Sequence, residues 1–305
     1  MERLTQNEVQ YLNDKAYEIR EKTINIVAAA NWGHIGGSFS IAEILACLYF
    51  RHMRVDPSNP MWDKRDYLVL SKAHCSPALY SALSMKGFFP FEDTFTYTKV
   101  NGLPSHLDIH CTPGVECSGG SLGLGLSYSV GIACGLRLKE GYSQRVYCIV
   151  GDGEIAEGQF WEAAMSAGQF KLSNLILFID ANRVQAKSFV HEAMPQEPIA
   201  DRMRAFGWHV IEVDGHDVVE VSNAIYCAKY VDVYGKPICI VAKTCKGKGI
   251  DECEFNHAWH SKPLPKEKAE ELLEALAKRY GKQSNGVLHI EPKTDNGSLK
   301  AVWEV

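Results

Sequence analysis

The chain has 305 residues, 46% of them hydrophobic and 23% charged, with a formal net charge of −5; this is an ordinary globular composition, long enough for one large domain or two small ones. It gives no reason to expect nucleic acid, since no basic cluster stands out beyond Lys243–Lys248, or a membrane, since no apolar run approaches the roughly 20 residues of a span and the polar start MERLTQNEVQ is no signal peptide. Ten cysteines stand without a C-x-x-C pair, several of them in apolar runs (Cys47, Cys134, Cys148, Cys239), so buried reduced thiols in a cytoplasmic protein are expected and zinc is not.

Glu8 to Ala30 reads as a helix, with Val9, Leu12, Ala16, Ile19, Ile24 and Val27 on one stripe. Asn31-Trp32-Gly33-His34-Ile35-Gly36-Gly37-Ser38 breaks it, and Ser38 or Ser40 is placed to cap a next helix, Ile41 to Phe50. A histidine in such a loop has nothing local to pack against, so His34 is either solvated or functional. Tyr67 to Ser71 is a strand, and the next helix starts near Pro77; His74 sits between them, at the strand's C-terminal end, where it also reads as a helix cap. Cys117-Ser118-Gly119-Gly120-Ser121-Leu122-Gly123-Leu124-Gly125 is dense in glycine and leads into a helix, Leu126 to Leu138. Its amides either meet an anion or a ring edge, or form a plain loop with small residues for helix packing.

Arg145 to Gln185 carries the strongest pattern. An apolar run, Val146 to Val150, meets Gly151-Asp152-Gly153; a helical spacing of Phe160, Ala163, Ala164 and Ala167 follows; a second apolar run, Leu175 to Ile179, ends at Asp180 with Asn182 just beyond. This is a βαβ unit. It sets Asp152 and Asn182 at neighbouring strand tips, on the rim where open α/β sheets bind ligands. A carboxylate and a carboxamide oxygen are hard ligands for Mg²⁺ or Ca²⁺, and Gly151 and Gly153 let a diphosphate approach the backbone. Gly151 to Ala156 also fits the loose dinucleotide pattern G-x-G-x-x-G/A, which leaves Asp152 and Asn182 unexplained. As purely structural residues Asp152 would cap a helix and Asn182 make a turn. Glu154 and Glu157 open the following helix, where acidic side chains suit its dipole.

Residues 186 to 198 read as a loop, Gly207 to Asp217 as a third strand ending in a turn, Val218 to Tyr230 as a helix, and Pro237 to Thr244 as a fourth strand with Lys243 and Thr244 at its functional end. His209 and His216 are taken as structural. Lys246 to Gly249 resembles a Walker loop only superficially, because the spacing is wrong. Asn256 to Pro263 reads as a surface loop, Lys266 to Tyr280 as an amphipathic helix, and residues 283 to 305 as a tail without pattern. The fold expected is α/β, a doubly wound, mostly parallel sheet with helices on both faces, over residues 1 to 282.

GDG, a helix, a second strand and then Asn resembles the thiamine diphosphate signature, and GDGEIAEGQFWEAAMSAGQFKLSNLI looks like the N-terminal subunit of a split, two-chain transketolase. The resemblance runs from about Asn25 to about Lys262. It implies Mg²⁺, with Ca²⁺ or Mn²⁺ as substitutes, held on the diphosphate by Asp152, Asn182 and the carbonyl of Val184; Arg183 stands where the family has Gly. Gly33-His34-Ile35-Gly36 resembles Gly-His-Pro-Gly, Lys72-Ala73-His74 resembles Lys-Gly-His, Ser105-His106-Leu107 resembles Gly-His-Pro, and Trp259-His260-Ser261-Lys262 resembles Trp-His-Gly-Lys. The glycine loop from Gly119 resembles Thr-Gly-Pro-Leu-Gly-Gln-Gly. By that likeness His34, His74, His106 and His260 serve proton transfer, and His74, Gly120, Ser121, Leu122, Gly151, Asp152, Gly153, Glu154, Asn182 and His260 line the cofactor. Glu157 would lie near a dimer contact. The resemblance further implies transfer of a two-carbon ketol unit from a ketose or ketose phosphate to an aldose. It also implies a separate pyrimidine-binding C-terminal subunit that supplies an activating glutamate, in an α₂β₂ assembly. Departures at Ile35, Ala73, Ser105, Leu107, Leu124 and Ser261 suggest a specialised substrate. The rivals are the α subunit of a 2-oxoacid dehydrogenase-type enzyme and a non-catalytic scaffold subunit.

Overall fold

A computed structural model describes residues 4–231 and 235–290. The apolar runs form a five-stranded sheet in the order β1-β2-β3-β5-β4, with β1 Tyr67–Leu70, β2 Val146–Gly151, β3 Leu175–Ala181, β4 His209–Asp214 and β5 Ile238–Lys243. Every pairing is parallel. Parallel strands are joined by crossovers, so both faces are covered by helices and the central strands read as continuous apolar runs. Accordingly every residue of β2 and β3 is buried, whereas in the edge strand β4 only Val213 is.

The helices are α1 (Gln6–Ala30), α2 (Gly36–Phe39), α3 (Ala42–Cys47), α4 (Ser76–Lys86), α5 (Leu124–Arg137), α6 (Gly158–Gln169), α7 (Val190–Ala193), α8 (Ile199–Ala205), α9 (Val218–Tyr230) and α10 (Lys266–Arg279). The strand period of two sorts the core. Leu68, Leu70, Tyr147, Ile149, Ile176, Phe178 and Ile240 pack with α1, α3, α4 and α9. Val69, Cys148, Val150, Leu177, Ile179 and Val241 pack on the opposite face with α5, α6 and α8. The doubly wound expectation holds. Among the described residues no helix is long and apolar enough to cross a membrane.

Several local expectations are corrected. The helix expected over Ile41–Phe50 is α3 alone, and the chain then widens into a π-helical turn over Leu48–His52. Ser38 and Ser40 do not cap it. Their hydroxyls donate to His34 O at 2.6 Å and to Asp180 Oδ2 at 2.7 Å, because both serines are buried and the nearer acceptors lie inside the fold. The helix after Gly153 starts late: Glu154–Ala156 is a 3₁₀ turn and α6 begins at Gly158. The stretch expected as a loop over 186 to 198 contains α7. All ten cysteines are free thiols; Cys47, Cys148 and Cys239 are buried, but Cys134 is half-buried. Of the tail, residues 283 to 290 run without regular structure along α1, with Leu288 N donating to Asn25 Oδ1 at 2.8 Å; residues 291 to 305 lie outside the described residues.

α1 is tied to α3 by a buried ion pair. Arg20 donates to both carboxylate oxygens of Glu43, each at 2.7 Å. Burial pushes the Glu43 carboxyl up, but the Arg20 charge and the hydrogen bonds from His216 and Arg20 outweigh it and hold it at about 2, against an ordinary 4.5. A carboxyl depressed on folding contributes stability that is complete above its ordinary value and is lost as pH falls towards its folded value. The stability gap between the wild type and Glu43→Gln, measured by urea unfolding, is therefore expected to shrink between pH 4.5 and about 2. A gap that stays constant across that window would contradict this account of the pair.

Candidate active site

The loops that follow β1, β2, β3 and β5 meet at the sheet's carboxyl rim. Between them lies a cavity of about 180 Å³, whose wall includes Lys72, His74, Gly151, Asp152, Gly153, Asn182, Val184, Lys246 and His260. Register explains the meeting: Gly151 of β2 stands opposite Asp180 of β3, so the residues just past each strand are neighbours. Asp152 Oδ1 accepts from Gly153 N at 2.8 Å and Oδ2 from Arg183 N. Asn182 Oδ1 accepts from Val184 N at 3.1 Å, and its Nδ2 donates to Asp180 Oδ2 at 2.7 Å. Both side chains thus grip the 182–184 turn from the cavity side. Gly153 has ordinary helical backbone angles; an added Cβ would lie 2.8 Å from Gln185 Cγ, so a side chain there would have to displace Gln185 from the cavity wall. Arg183 adopts φ 69°, in the left-handed region, at the position where the resemblance expects glycine.

The charges of this cavity are arranged unevenly. Asp180 is fully buried and accepts from Lys72 Nζ at 2.6 Å, from Ser40, from Asn182 and from Thr244 Oγ1. Burial disfavours its charge, but Lys72 outweighs that and holds the Asp180 carboxyl below its usual range. At Asp152 the Lys72 charge is too weak to do the same. Burial, and next the charge of Asp180, push its carboxyl up to about 7. Lys246 donates to Val184 O at 2.8 Å, to Gln185 O at 3.2 Å, and meets His260 Nδ1 at 2.9 Å. Burial, and then the Lys72 charge, lower the Lys246 ammonium to about 8. A buried acid near neutrality beside two buried lysines is an environment that favours a ligand carrying both a cation and an anion.

Imidazoles gather at this cavity. The ring centroids of His34, His74 and His260 are 5.1 to 5.2 Å apart, and His106 lies 6.3 Å from His34. Burial is the largest cause lowering His34 to about 4 and His260 to about 3, and His74 well below its ordinary value; neighbouring positive and imidazole groups add to it. These rings are held neutral at physiological pH, so each presents one nitrogen as a hydrogen-bond acceptor. Nδ1 of His34 is buried without a hydrogen-bond partner. Ser105 Oγ sits 3.2 Å from His106 Nδ1 and orients that ring. His110 is exposed on the following turn.

The glycine loop divides between two cavities. Leu122 faces the one just described, while Gly120 and Ser121 line an adjoining cavity of about 180 Å³ with Val69, Cys117, Leu124 and Tyr128. Glu154 has a further role besides suiting a helix dipole. Its Oε1 accepts from Gly123 N at 2.9 Å and from Ser71 Oγ, and Oε2 accepts from Gly151 N at 3.0 Å. It staples the glycine loop to the GDG turn. Three groups escaped the sequence reading: Lys72, noticed only as part of a motif; Asp180, noticed only as a strand end; and Lys246, set aside with a failed Walker match. The signal available was a charged residue at or just past the C-terminal end of each of three apolar strands, where an unpaired charge is costly.

Residues 12–293 match the family described as transketolase, thiamine diphosphate binding domain. The chain belongs to this family. It is 46% identical over 257 residues to a 6-deoxy-6-sulfo-D-fructose transketolase subunit of Clostridium sp. (strain MSTE9), covering 84% of this chain and 92% of that protein. It is 36% identical over 282 residues to an apulose-4-phosphate transketolase subunit of Phocaeicola vulgatus, covering 92% and 99%. It superposes on crystalline transketolase from Campylobacter jejuni with a TM-score of 0.83 at 34% identity, over 93% of this chain and 44% of that one. The chain thus spans nearly all of the subunit relatives and under half of the crystallised transketolase. The split-transketolase resemblance is borne out, and the dinucleotide and 2-oxoacid dehydrogenase readings are set aside. In this transketolase-family domain the GDG turn, Asn182, Lys246 and the histidines all stand at one rim.

Proposed function

We propose that this chain is the N-terminal subunit of a heteromeric transketolase, and that the rim cavity holds Mg²⁺ and the diphosphate of thiamine diphosphate. The observation that carries this is a juxtaposition: buried Asp152 stands with Asn182 and Val184 on the wall of one cavity, at the tips of paired strands, where burial pushes its carboxyl up to about 7. A bound divalent cation would offset the burial and the Asp180 charge that disfavour its ionised form. The donors are a carboxylate, a carboxamide and a carbonyl, and among the described residues no three His, Cys, Asp or Glu side chains gather as a metal set. Such oxygens suit a hard cation that completes its shell with phosphate and water, Mg²⁺ first and Ca²⁺ or Mn²⁺ in its place. Lys246 and the Gly151–Gly153 backbone would face the diphosphate.

Thiamine diphosphate, when bound, supplies the nucleophilic carbon and the electron sink needed to cut and remake the bond next to a ketose carbonyl. The chain's own part is positional and acid–base. His74 and His260 line the cavity and His34 packs against both; the negative charge of a bound diphosphate would offset the burial and the lysine charges that depress them, so that they could take a proton from a sugar hydroxyl and return it, with His106, oriented by Ser105, beside them. Glu154 holds the glycine loop against the GDG turn, so that Leu122 walls the cavity.

A second polypeptide completes the enzyme in this reading, in an α₂β₂ assembly. The face of α5 supports it: Tyr128 is 48% exposed and Leu138, just beyond the helix, 89%, and added Cβ atoms at Gly131 and Gly135 would meet nothing within 4 Å. An apolar, small-residue helix face beside an apolar cavity is a surface fit for a partner. A specialised donor is also proposed. One pair of departures from the family pattern is matched by packing: an added Cβ at Gly119, where the pattern has Thr, would lie 2.7 Å from the Ala73 methyl, where the pattern has Gly. The relatives named for a sulfosugar and for apulose 4-phosphate agree in direction. The test is a donor and acceptor screen of the chain alone and with its co-expressed C-terminal subunit. Turnover only by the pair, with a modified ketose preferred, is expected. Turnover by the chain alone would refute the split site, and preference for xylulose 5-phosphate with ribose 5-phosphate would refute the specialised donor.

A further inference from the structure

Lys246 reaches the cavity from a loop, and a lysine on a four-carbon stem is only as well placed as its backbone. What holds that backbone lies outside the cavity. The amide of Cys245 donates to Nε2 of His216 at 2.8 Å, and Nδ1 of the same ring lies 3.0 Å from Glu43 Oε2. Two hydrogen bonds assign the tautomer: Nε2 accepts through its lone pair and so carries no proton, and the proton sits on Nδ1, donated to Glu43. Glu43 is clamped by Arg20, which also donates to Phe39 O at 2.9 Å and to Tyr280 OH at 3.1 Å. The imidazole therefore couples the α1–α3–α10 shell to the residues that follow β5. Downstream of Cys245 the same stretch meets the cavity wall: Thr244 bonds Asp180, Lys246 meets Val184 O and His260, and Gly247 N donates to Gly36 O at 3.0 Å.

We infer that His216, held by Glu43, is a positioning residue for the Lys246 loop and through it for the cofactor's diphosphate. This rests on reading the rim cavity as the cofactor site. His216 is far from that cavity in sequence and does not touch it; it acts by accepting one backbone hydrogen bond. An accepted amide bond of this kind is worth about 1 kcal/mol, or roughly fivefold to tenfold in an equilibrium.

Isosteres separate this role from simple packing. Asparagine places a donor where Nδ1 is and has no atom at Nε2; glutamine places its carbonyl oxygen near Nε2. In the full chain, His216→Asn is expected to speed amide exchange across residues 244–247 by about tenfold, with exchange in β5 and α1 unchanged. It is expected to weaken calorimetric binding of Mg²⁺–thiamine diphosphate by a similar factor. In the assembled enzyme kcat at saturating cofactor should stay within about twofold while the KM for cofactor rises. His216→Gln, which keeps the acceptor but not the Nδ1 bond to Glu43, should recover most of each. The wild-type imidazole ¹⁵N spectrum should show a proton on Nδ1 only, a measurement that requires no variant to fold. Asparagine exchange equal to wild type, glutamine no better than asparagine, or a proton found on Nε2 would each overturn the relay. An assembled enzyme that binds no cofactor, while the 244–247 amides still respond to His216→Asn, would overturn the reading of the rim cavity as the cofactor site and leave only the hold on the Lys246 loop standing.

Discussion

Asp152→Ala is expected to remove the stabilisation that Mg²⁺–thiamine diphosphate confers, while leaving the ligand-free fold as stable as the wild type or slightly more so. The two halves of that result have one cause. Asp152 is buried beside Asp180, and both circumstances push its carboxyl up to about 7, so in the free protein near pH 7 the group is held at a disadvantage and its removal relieves it. The compensation arrives only with a cation. A ligand that binds the native state at 100 times its Kd stabilises by about 2.7 kcal/mol. Thermal melts with and without Mg²⁺ and thiamine diphosphate should show that increment in the wild type and almost none in Asp152→Ala, and ketol transfer by the assembled pair should fall by at least about 100-fold, the scale of losing one electrostatic stabiliser of a reaction site. A variant still stabilised by the cofactor would show that the carboxylate is no ligand. A variant that melts well below wild type without cofactor would show that Asp152 holds the 183 turn more than it suffers from its surroundings. A strained site that weakens the free fold and is relieved by ligand is a familiar exchange of stability for function.

What the sequence displayed and what it hid follow from the range of the contacts. The βαβ unit was legible because its period is local: apolar runs of strand length, glycines at the turn, and a three-and-four helical spacing over Phe160 to Ala167. Register then fixed the neighbouring strand tips, so Asp152 and Asn182 were placed correctly by topology alone. The histidines were found by motif, and their gathering around His34 could not be derived from spacing, since His34 and His260 stand at opposite ends of the chain. Lys72 and Asp180 are separated by 108 positions and Thr244 and Asp180 by 64; no periodicity reports such a pair. Ser40 looked like a helix cap because serine before an apolar run usually is one, and only the fold shows Asp180 within its reach. Glu154 looked like a dipole residue for the same reason, although its buried carboxylate binds two amides and a hydroxyl. His216 was taken as structural, and the geometry makes it so in a more specific sense: both ring nitrogens are engaged, one of them by the loop that carries Lys246.

The second large effect concerns Lys72 and Asp180. Each is buried, and their 2.6 Å contact lies at the centre of a cluster that includes Ser40, Asn182 and Thr244. A buried pair adds little net stability over apolar residues of similar size, but breaking one by removing a single partner leaves an uncompensated charge and typically costs about 3–5 kcal/mol. Lys72→Met is therefore expected to destabilise by about that amount, as is Asp180→Leu, which strands Lys72. The double change should recover the part of the loss owed to a stranded charge, though not the acceptor that Ser40, Asn182 and Thr244 lose, giving a coupling energy of at least about 2 kcal/mol in a double-mutant cycle. Cofactor affinity should not recover with it. Without the Asp180 carboxylate, Asn182 Nδ2 has lost its acceptor and the carboxamide is free to rotate away from the cavity. Urea unfolding and calorimetric titration on the same four proteins separate the two consequences. Additive stability losses would mean the charges are not partners, and a double variant that folds and binds as tightly as wild type would mean that Asp180 does not orient Asn182. The predicted split between a restored fold and an unrestored site distinguishes a charge kept to aim a ligand from one kept only to hold the sheet together.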